Sequence, residues 1–142
     1  MVLPSLRKSK SEYDTTLIAD EFAVNLKKGM VVVLNGDLGA GKTFFIKQVL
    51  QKFNVTNANS PTFAIVNEYQ AKNKFYHFDF YRINFENELH DIGIEDYFSD
   101  MDSIIFIEWG NLFPNVLPKK RIEINIIYAE NDERIFSFEQ YE

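Results

Sequence analysis

The chain has 142 residues, 46% of them hydrophobic, and a formal net charge of −6. This length predicts one domain spanning residues 1–142, with a core of its own and no room for a second. The acidic balance argues against a broad basic face for duplex nucleic acid. Cysteine is absent, which excludes disulfides, thiolate metal sites and a cysteine nucleophile. No apolar run reaches membrane-spanning length, so we expect a cytoplasmic protein with no membrane partner.

The N-terminal segment predicts a helix after a short polar stretch. Residues around Leu6 form either a short edge strand or a loose arm. Ser11 to Asp14 has the spacing of a capping box, which typically begins a helix. The apolar residues that follow lie at helical spacing: Leu17, Ile18, Phe22 and Leu26. Lys27-Lys28-Gly29 predicts the end of this helix, with cations in its last turn and a glycine cap.

A buried strand, a glycine-rich turn and a second helix come next. Met30 to Leu34 is a continuous, largely β-branched run, which is typical of a buried parallel strand. Residues 36–43 then match the P-loop pattern G-x-x-x-x-G-K-(S/T) at every required position. The apolar residues behind the turn recur at helical spacing: Phe45, Ile46, Val49, Leu50 and Phe53.

The P-loop spacing predicts a site for the phosphates of ATP. Glycines at 36, 39 and 41 are expected to take positive φ and turn backbone N–H groups inward around an anion. The positive end of the helix dipole faces the same anion. Lys42 supplies a charge for the β- and γ-phosphates, and the Thr43 hydroxyl is a ligand for Mg²⁺. The predicted ATP-binding residues are Asp37, Leu38, Gly39, Ala40, Gly41, Lys42, Thr43 and Phe44.

The middle of the chain predicts a β-hairpin preceded by a loop. Phe63 to Tyr69 and Lys74 to Tyr81 flank a polar turn. On the second strand, alternation places His77, Asp79 and Tyr81 on one face and Tyr76, Phe78 and Phe80 on the other. The hydroxyls of Ser60 and Thr62, in the preceding loop, are candidates for a switch-like sensor of a γ-phosphate.

The remaining segments complete an α/β domain. Residues 84–100 are acidic and predict two short helices broken at Gly93. Ile104 to Ile107 is a second buried strand, followed directly by Glu108 and Trp109. Alternation from Ile122 to Phe138 predicts a C-terminal hairpin. The predicted fold is a P-loop NTPase domain with a mixed sheet, a parallel centre, antiparallel additions and helices on both faces.

Two acidic side chains are candidates for catalysis beside Lys42. Glu108 follows a buried strand, so the carboxyl edge of the sheet should bring it beside Thr43 as a magnesium ligand or water-positioning group. Asp79 lies among aromatic residues, where an ionised carboxylate needs a partner. That partner is Mg²⁺, a water molecule or Arg82.

The sequence allows more than one role for some of the neighbouring residues. Arg82 contacts a phosphate or pairs with Asp79. His77 alone reads as a satisfied core histidine. Trp109 is either a core residue or an aromatic docking group for a partner protein.

An ordered set of motifs resembles the TsaE (YjeE) family over roughly residues 10–128. The motifs are Gly36-Asp37-Leu38-Gly39-Ala40-Gly41-Lys42-Thr43, Ser60-Pro61-Thr62-Phe63, His77-Phe78-Asp79-Phe80-Tyr81-Arg82, Glu88-Leu89-x-Asp91-Ile92-Gly93 and Ile107-Glu108-Trp109. The P-loop by itself is generic, whereas the ordered set is specific.

This resemblance implies a small bacterial ATPase needed to make N6-threonylcarbamoyladenosine in tRNA. By the same resemblance, its partners are TsaD, the transferase, and TsaB, and it meets tRNA only indirectly through that complex. ATP and Mg²⁺ are the implied cofactors. Glu108 would be the acid of a Walker B type, Asp79 a further essential acid, and Trp109 a functionally important neighbour of Glu108.

Two other nucleotide-dependent functions compete with this reading. A small-molecule or nucleoside kinase usually closes an arginine-bearing lid over the phosphates, and the four arginines at 7, 82, 121 and 134 form no such segment. A GTPase would carry N-K-x-D, but Asn73-Lys74-Phe75-Tyr76 lacks the aspartate. No arginine is clearly placed to act on the phosphates, so slow hydrolysis without a partner is expected.

Overall fold

Seven strands and four helices make up the regular structure of residues 1–61 and 64–142, the ranges described in a computed structural model. The strands are β1 Ser5–Ser9, β2 Val31–Asn35, β3 Val66–Gln70, β4 Lys74–Asp79, β5 Ser103–Glu108, β6 Arg121–Tyr128 and β7 Arg134–Tyr141. The helices are α1 Glu12–Ala23, α2 Lys42–Gln51, α3 Glu86–Asp91 and α4 Ile94–Ser99. Within these ranges, no helix is long and apolar enough to cross a membrane.

All seven strands belong to one sheet in the order β1-β7-β6-β2-β5-β4-β3. Strands β6, β2, β5 and β4 run parallel to one another and form the centre. Strands β1, β7 and β3 add antiparallel edges. The predicted α/β fold, with a parallel centre and antiparallel additions, is therefore confirmed.

Helices cover both faces of this sheet, as predicted. Alternate side chains of β2 point to opposite faces, as in any strand. Leu34 and its neighbours pack with α1 and α2, which contribute Phe22 and Phe45. Val33 packs on the other face with Leu89 of α3 and Ile94 of α4. Since every residue of β2 except Asn35 is buried, the strand that leads into the P-loop is held from both sides.

The first helix ends earlier than its apolar spacing predicts. It begins at the Ser11 cap, as expected, but its last residue is Ala23 rather than one near Lys27. The N–H of Leu26 donates to the Ala23 carbonyl in a tight turn, and the Leu26 side chain remains buried. Leu26 therefore extends the apolar pattern without extending the helix, because the chain turns to enter β2.

The second strand of the central hairpin also ends earlier than predicted. Strand β4 stops at Asp79, and Phe80–Arg82 forms a 3₁₀ turn. The Asp79 carboxylate accepts a hydrogen bond from the Tyr81 N–H at 3.0 Å, which begins that turn. Tyr81 is therefore not on the strand face that it was predicted to share with His77 and Asp79. The two hairpins and the pair of short helices separated at Gly93 are observed. The first strand of the central hairpin is Val66–Gln70, and Phe63, where the sequence predicts its start, lies outside the described residues.

Candidate functional site

The P-loop connects the carboxyl end of β2 to the first turn of α2. Gly39 and Gly41 take φ values of +80° and +102°, in the left-handed region that favours glycine. Gly36 is different: it does not take the positive φ that the sequence predicts. A Cβ at Gly36 would lie 2.8 Å from the Ile126 carbonyl oxygen, so the loop needs glycine there for close approach to β6. Of the other predicted loop residues, Asp37 and Leu38 are exposed and Ala40 is buried.

Lys42 is the first residue of α2, and its side chain folds back under the loop. Its Nζ donates to the carbonyl oxygens of Gly36 and Asp37 at 2.5 and 3.0 Å. The residue is only 4% exposed. Burial lowers the pKa of Lys42 from its ordinary value, against the opposing effect of nearby carboxylates, of which Glu108 acts most strongly. The ammonium group is thus fixed beneath the loop, at the position from which it can meet a phosphate.

Glu108, the last residue of β5, lies directly behind the P-loop. The Thr43 hydroxyl is 2.9 Å from each of the Glu108 carboxylate oxygens. The register of the parallel strands explains this proximity, since Glu108 pairs with Leu34, at the end of β2 next to the loop. A hydroxyl and a carboxylate in contact at this edge form the oxygen pair that the sequence predicts for a magnesium ion.

A buried histidine completes the surroundings of Glu108. His77 on β4 is 1% exposed, and its Nε2 lies 2.7 Å from Glu108 Oε2. The sequence gives no sign of this contact, because His77 and Glu108 are 31 residues apart and the strand register that joins them is not local.

Asp79 pairs with Glu108 in the parallel register of β4 and β5 and is half-buried at the same edge. One of its oxygens accepts from the Tyr81 N–H, and the other lies 3.3 Å from the Ser60 hydroxyl.

The alternative in which Arg82 neutralises Asp79 is not observed, because Arg82 is exposed and forms no ion pair within residues 1–61 and 64–142. Ser60 of the predicted switch-like pair therefore reaches the site, whereas Thr62 lies outside the described residues.

Two aromatic rings form one wall of the cleft beside Lys42. The Trp109 ring centroid lies 4.2 Å from Lys42 Nζ and 4.9 Å from the Tyr81 ring centroid. The Trp109 backbone has a φ of +62°, which is uncommon for a large side chain. Its N–H donates to the Leu34 carbonyl, which ties this conformation to the end of β2.

The cleft has a volume of about 280 Å³. Its lining comprises Leu38, Gly39, Gly41, Lys42, Thr43, Phe44, Asp79, Tyr81, Glu108 and Trp109.

Arg134, at the start of β7, supports the P-loop from outside. Its Nε donates to the Ala40 carbonyl at 2.8 Å. P-loop carbonyls point outward when the N–H groups point inward, so they need donors from elsewhere in the fold. The sequence analysis missed this residue. The only signal in the sequence is that a P-loop carbonyl needs a donor from outside the loop. The sequence does not show that β7 lies close enough to supply it.

A smaller recess of about 130 Å³ lies next to the cleft beside Lys42. It is lined by Glu12, Thr15, Gly41, Phe44, Arg134 and Phe136. Gly41 and Phe44 border both this recess and the larger cleft. The two openings therefore lie side by side along the first turn of α2.

The residues that could hold a cation are the oxygen donors Thr43 and Glu108, with Asp79 at the same edge. In the part of the chain that the structure describes, no cluster of three or more His, Cys, Asp or Glu side chains is arranged to hold a metal ion. Magnesium in proteins usually takes one or two carboxylates and completes its shell with water and substrate phosphates. The donors present match that kind of site.

Comparison with known proteins gives one consistent family. Residues 9–136 match the family model described as threonylcarbamoyl adenosine biosynthesis protein TsaE. The chain is 38% identical over 133 residues to the Rickettsia typhi protein named tRNA threonylcarbamoyladenosine biosynthesis protein TsaE, covering 92% of this chain and 91% of that one. It is 40% identical over 127 residues to the Bacillus subtilis protein of the same name, covering 88% and 78% of the two chains.

A solved structure agrees with the sequence relatives. The crystal structure of Bacillus subtilis YdiB superposes with a TM-score of 0.80 at 32% sequence identity, covering 99% of this chain and 87% of that one. The motif-based resemblance is therefore confirmed over nearly the whole chain. The chain belongs to the TsaE family, whose relatives are named for the biosynthesis of threonylcarbamoyladenosine in tRNA.

Proposed function

We propose that this protein binds and hydrolyses Mg·ATP, and that its ATPase cycle supports the formation of N6-threonylcarbamoyladenosine in tRNA. The observation that carries the proposal is the contact of the Thr43 hydroxyl with both oxygens of Glu108 at 2.9 Å, directly behind a P-loop. A P-loop hydroxyl and a strand-end carboxylate are the two protein groups that P-loop ATPases use for magnesium. The name shared by the relatives supports the link to tRNA modification.

The phosphate chain would lie in the P-loop, beside Lys42. Backbone N–H groups of residues 37–43 and the N-terminus of α2 attract the anion. Lys42 Nζ, which donates to two loop carbonyls, would exchange those bonds for contacts with the β- and γ-phosphates. A bound magnesium ion would be held by Thr43 and Glu108, and would offset the negative charge of the phosphates.

The recess beside Phe44 and Arg134 offers room for the nucleoside part of ATP. It shares Gly41 and Phe44 with the phosphate cleft, so one extended ligand can occupy both openings. A nucleobase there would contact the half-buried ring of Phe44. Arg134 would face it while still holding the P-loop carbonyl.

Hydrolysis requires a water molecule in line with the γ-phosphate. Asp79 is half-buried at the edge of the cleft, and its oxygens are held by Tyr81 and Ser60, so it can orient that water. Through residues 1–61 and 64–142, no arginine is placed over the cleft: Arg134 is bonded to the outside of the loop, and Arg82 is exposed. We therefore expect slow turnover by the isolated chain and faster turnover in a complex with TsaD and TsaB, through which it would meet tRNA.

The first experiment compares Lys42→Ala with the wild type in nucleotide binding and ATPase assays. Lys72→Ala is the matched control, because it removes the same charge from an exposed turn remote from the cleft. We expect Lys42→Ala to lose binding or turnover by at least about 100-fold, since it removes the cation beneath the loop. Equal activity of the two variants would contradict the proposal.

The second experiment adds a purified TsaD–TsaB pair to the wild-type chain. ATP turnover should rise only when the pair is present, with ADP and inorganic phosphate released in equal amounts. Fast turnover by the chain alone would contradict the expected dependence on a partner. Transfer of the γ-phosphate to a small acceptor would instead favour a kinase.

A further inference from the structure

Two different groups, a hydroxyl and an imidazole, contact the Glu108 carboxylate. The Thr43 hydroxyl contacts both carboxylate oxygens, whereas His77 Nε2 contacts only Oε2, at 2.7 Å. His77 and Glu108 are 1% and 3% exposed, so water does not compete for their contact. A glutamate side chain has several rotatable bonds, and the histidine contact removes much of that freedom.

The hydrogen-bonding pattern of His77 indicates the direction of this contact. Within the described residues, Nδ1 is buried without a hydrogen-bond partner. An ionised carboxylate only accepts hydrogen bonds, so the ring nitrogen that faces Glu108 Oε2 has to be the donor. The proton therefore belongs on Nε2, and His77 donates to Glu108 Oε2. A histidine that served only to fill space would need no such alignment.

We propose that His77 is a positioning residue that holds Glu108 in the orientation needed beside Thr43. This inference rests on the proposed function, because it assigns His77 a part in magnesium-dependent ATP turnover. Because His77 fixes Oε2, the Glu108 carboxylate would keep its position when a cation binds to the oxygens of Thr43 and Glu108. His77 itself touches neither the nucleotide cleft nor a reacting group, since it does not line the cleft.

The test compares two substitutions of nearly equal length and volume. His77→Gln keeps an N–H donor at a similar distance along the side chain, whereas His77→Met fills the same space without one. The magnesium concentration for half-maximal ATPase activity should rise about 10- to 100-fold in His77→Met and return to within a few-fold of the wild-type value in His77→Gln. The KM for ATP at saturating magnesium should change less than kcat.

A second comparison guards against a folding defect in the methionine variant. The asparagine of His77→Asn is polar but too short to reach Glu108. This variant should therefore have the same raised magnesium requirement as His77→Met. Thermal unfolding of every variant identifies loss of fold.

The outcomes separate this inference from the proposed function. Folded Met, Asn and Gln variants with the same magnesium requirement would overturn the positioning role and leave the ATPase proposal intact. A wild-type chain that failed to bind Mg·ATP would overturn both.

Discussion

The aromatic cluster beside β6 and β7 and the polar edge of the sheet bury different kinds of side chain. Beside β6 and β7, four phenylalanines lie wholly buried: Phe22, Phe45, Phe136 and Phe138. Ring centroids of neighbouring pairs are 5.4 Å apart in two cases, Phe22 with Phe138 and Phe45 with Phe136. At the carboxyl edge of β2, β4 and β5, the buried groups are instead a lysine, a histidine and a glutamate: Lys42, His77 and Glu108.

The difference indicates how the fold separates stability from chemistry. Apolar burial stabilises the folded state in proportion to the area removed from water. Burying ionisable groups costs free energy unless they are paired. Apolar packing such as the aromatic cluster therefore offsets the cost of the polar edge, and substitutions in these two regions should have opposite signatures.

The largest effect on stability is expected for Phe138→Ala. Loss of this ring should lower the free energy of unfolding by about 3–5 kcal/mol, because a cavity forms among Phe22, Phe45 and Phe136. Denaturant unfolding measures this loss, and nucleotide affinity of the remaining folded protein should be unchanged. Phe85→Ala is the matched control, because Phe85 is 71% exposed, and it should cost under about 0.5 kcal/mol. A similar cost for both variants would contradict the proposed division.

Glu108→Gln should give the opposite signature. The amide keeps the shape of the side chain and an acceptor for Thr43, but it removes the charge that a magnesium ion needs. Turnover should fall about 100-fold or more, while nucleotide binding and the unfolding temperature change much less. Single-turnover ATPase assays and calorimetric binding separate these quantities. A variant that lost stability but kept turnover would show that Glu108 has a structural role like that of the aromatic cluster.

A smaller stability effect is expected at the start of α1, the helix that contributes Phe22 to the aromatic cluster. The Ser11 hydroxyl accepts from the Asp14 N–H at 3.0 Å and caps the helix. Ser11→Ala should lower the free energy of unfolding by about 1 kcal/mol, and Ser11→Asp, which retains a capping oxygen, should not. Equal losses in chemical denaturation would show that the cap contributes little.

The smallest effect is expected from an exposed group of charges on α3 and α4, outside both regions. Hydrogen bonds from Glu95 and then Glu86 raise the pKa of His90 above its ordinary value. A raised pKa in the folded state means that the pairing stabilises the fold below the unfolded pKa, and that this contribution disappears as pH rises through the folded pKa. The unfolding temperature of the wild type should therefore exceed that of His90→Gln more at pH 5.5 than at pH 9, by a small margin because the pair is exposed. An equal margin at both pH values would show that the pair is not formed in solution.

The parts of the fold that depend on nearby residues could be predicted from the sequence. The β2–P-loop–α2 unit follows from a short apolar run, a glycine pattern and helical spacing, all within 24 residues from Met30 to Phe53. The placement of Glu108 beside Thr43 also follows from sequence, because the carboxyl ends of parallel strands meet at one edge.

The features that sequence did not predict depend on strand order and on turns. The His77–Glu108 contact requires the register of β4 and β5, and the Arg134–Ala40 contact requires β7 to lie near the P-loop. Alternation predicted that Tyr81 continued the strand, but the carboxylate of Asp79 begins a 3₁₀ turn instead. Competition between a side-chain acceptor and the strand ladder is not visible in a hydrophobic pattern.

The position of Trp109 makes the chain its own optical reporter. It is the only tryptophan in the sequence, and its ring lies 4.2 Å from the Lys42 ammonium group. Any anion that draws this ammonium group away changes the electric field at the indole. Intrinsic fluorescence, excited selectively at the red edge of tryptophan absorption, should therefore follow occupancy of the loop without a label.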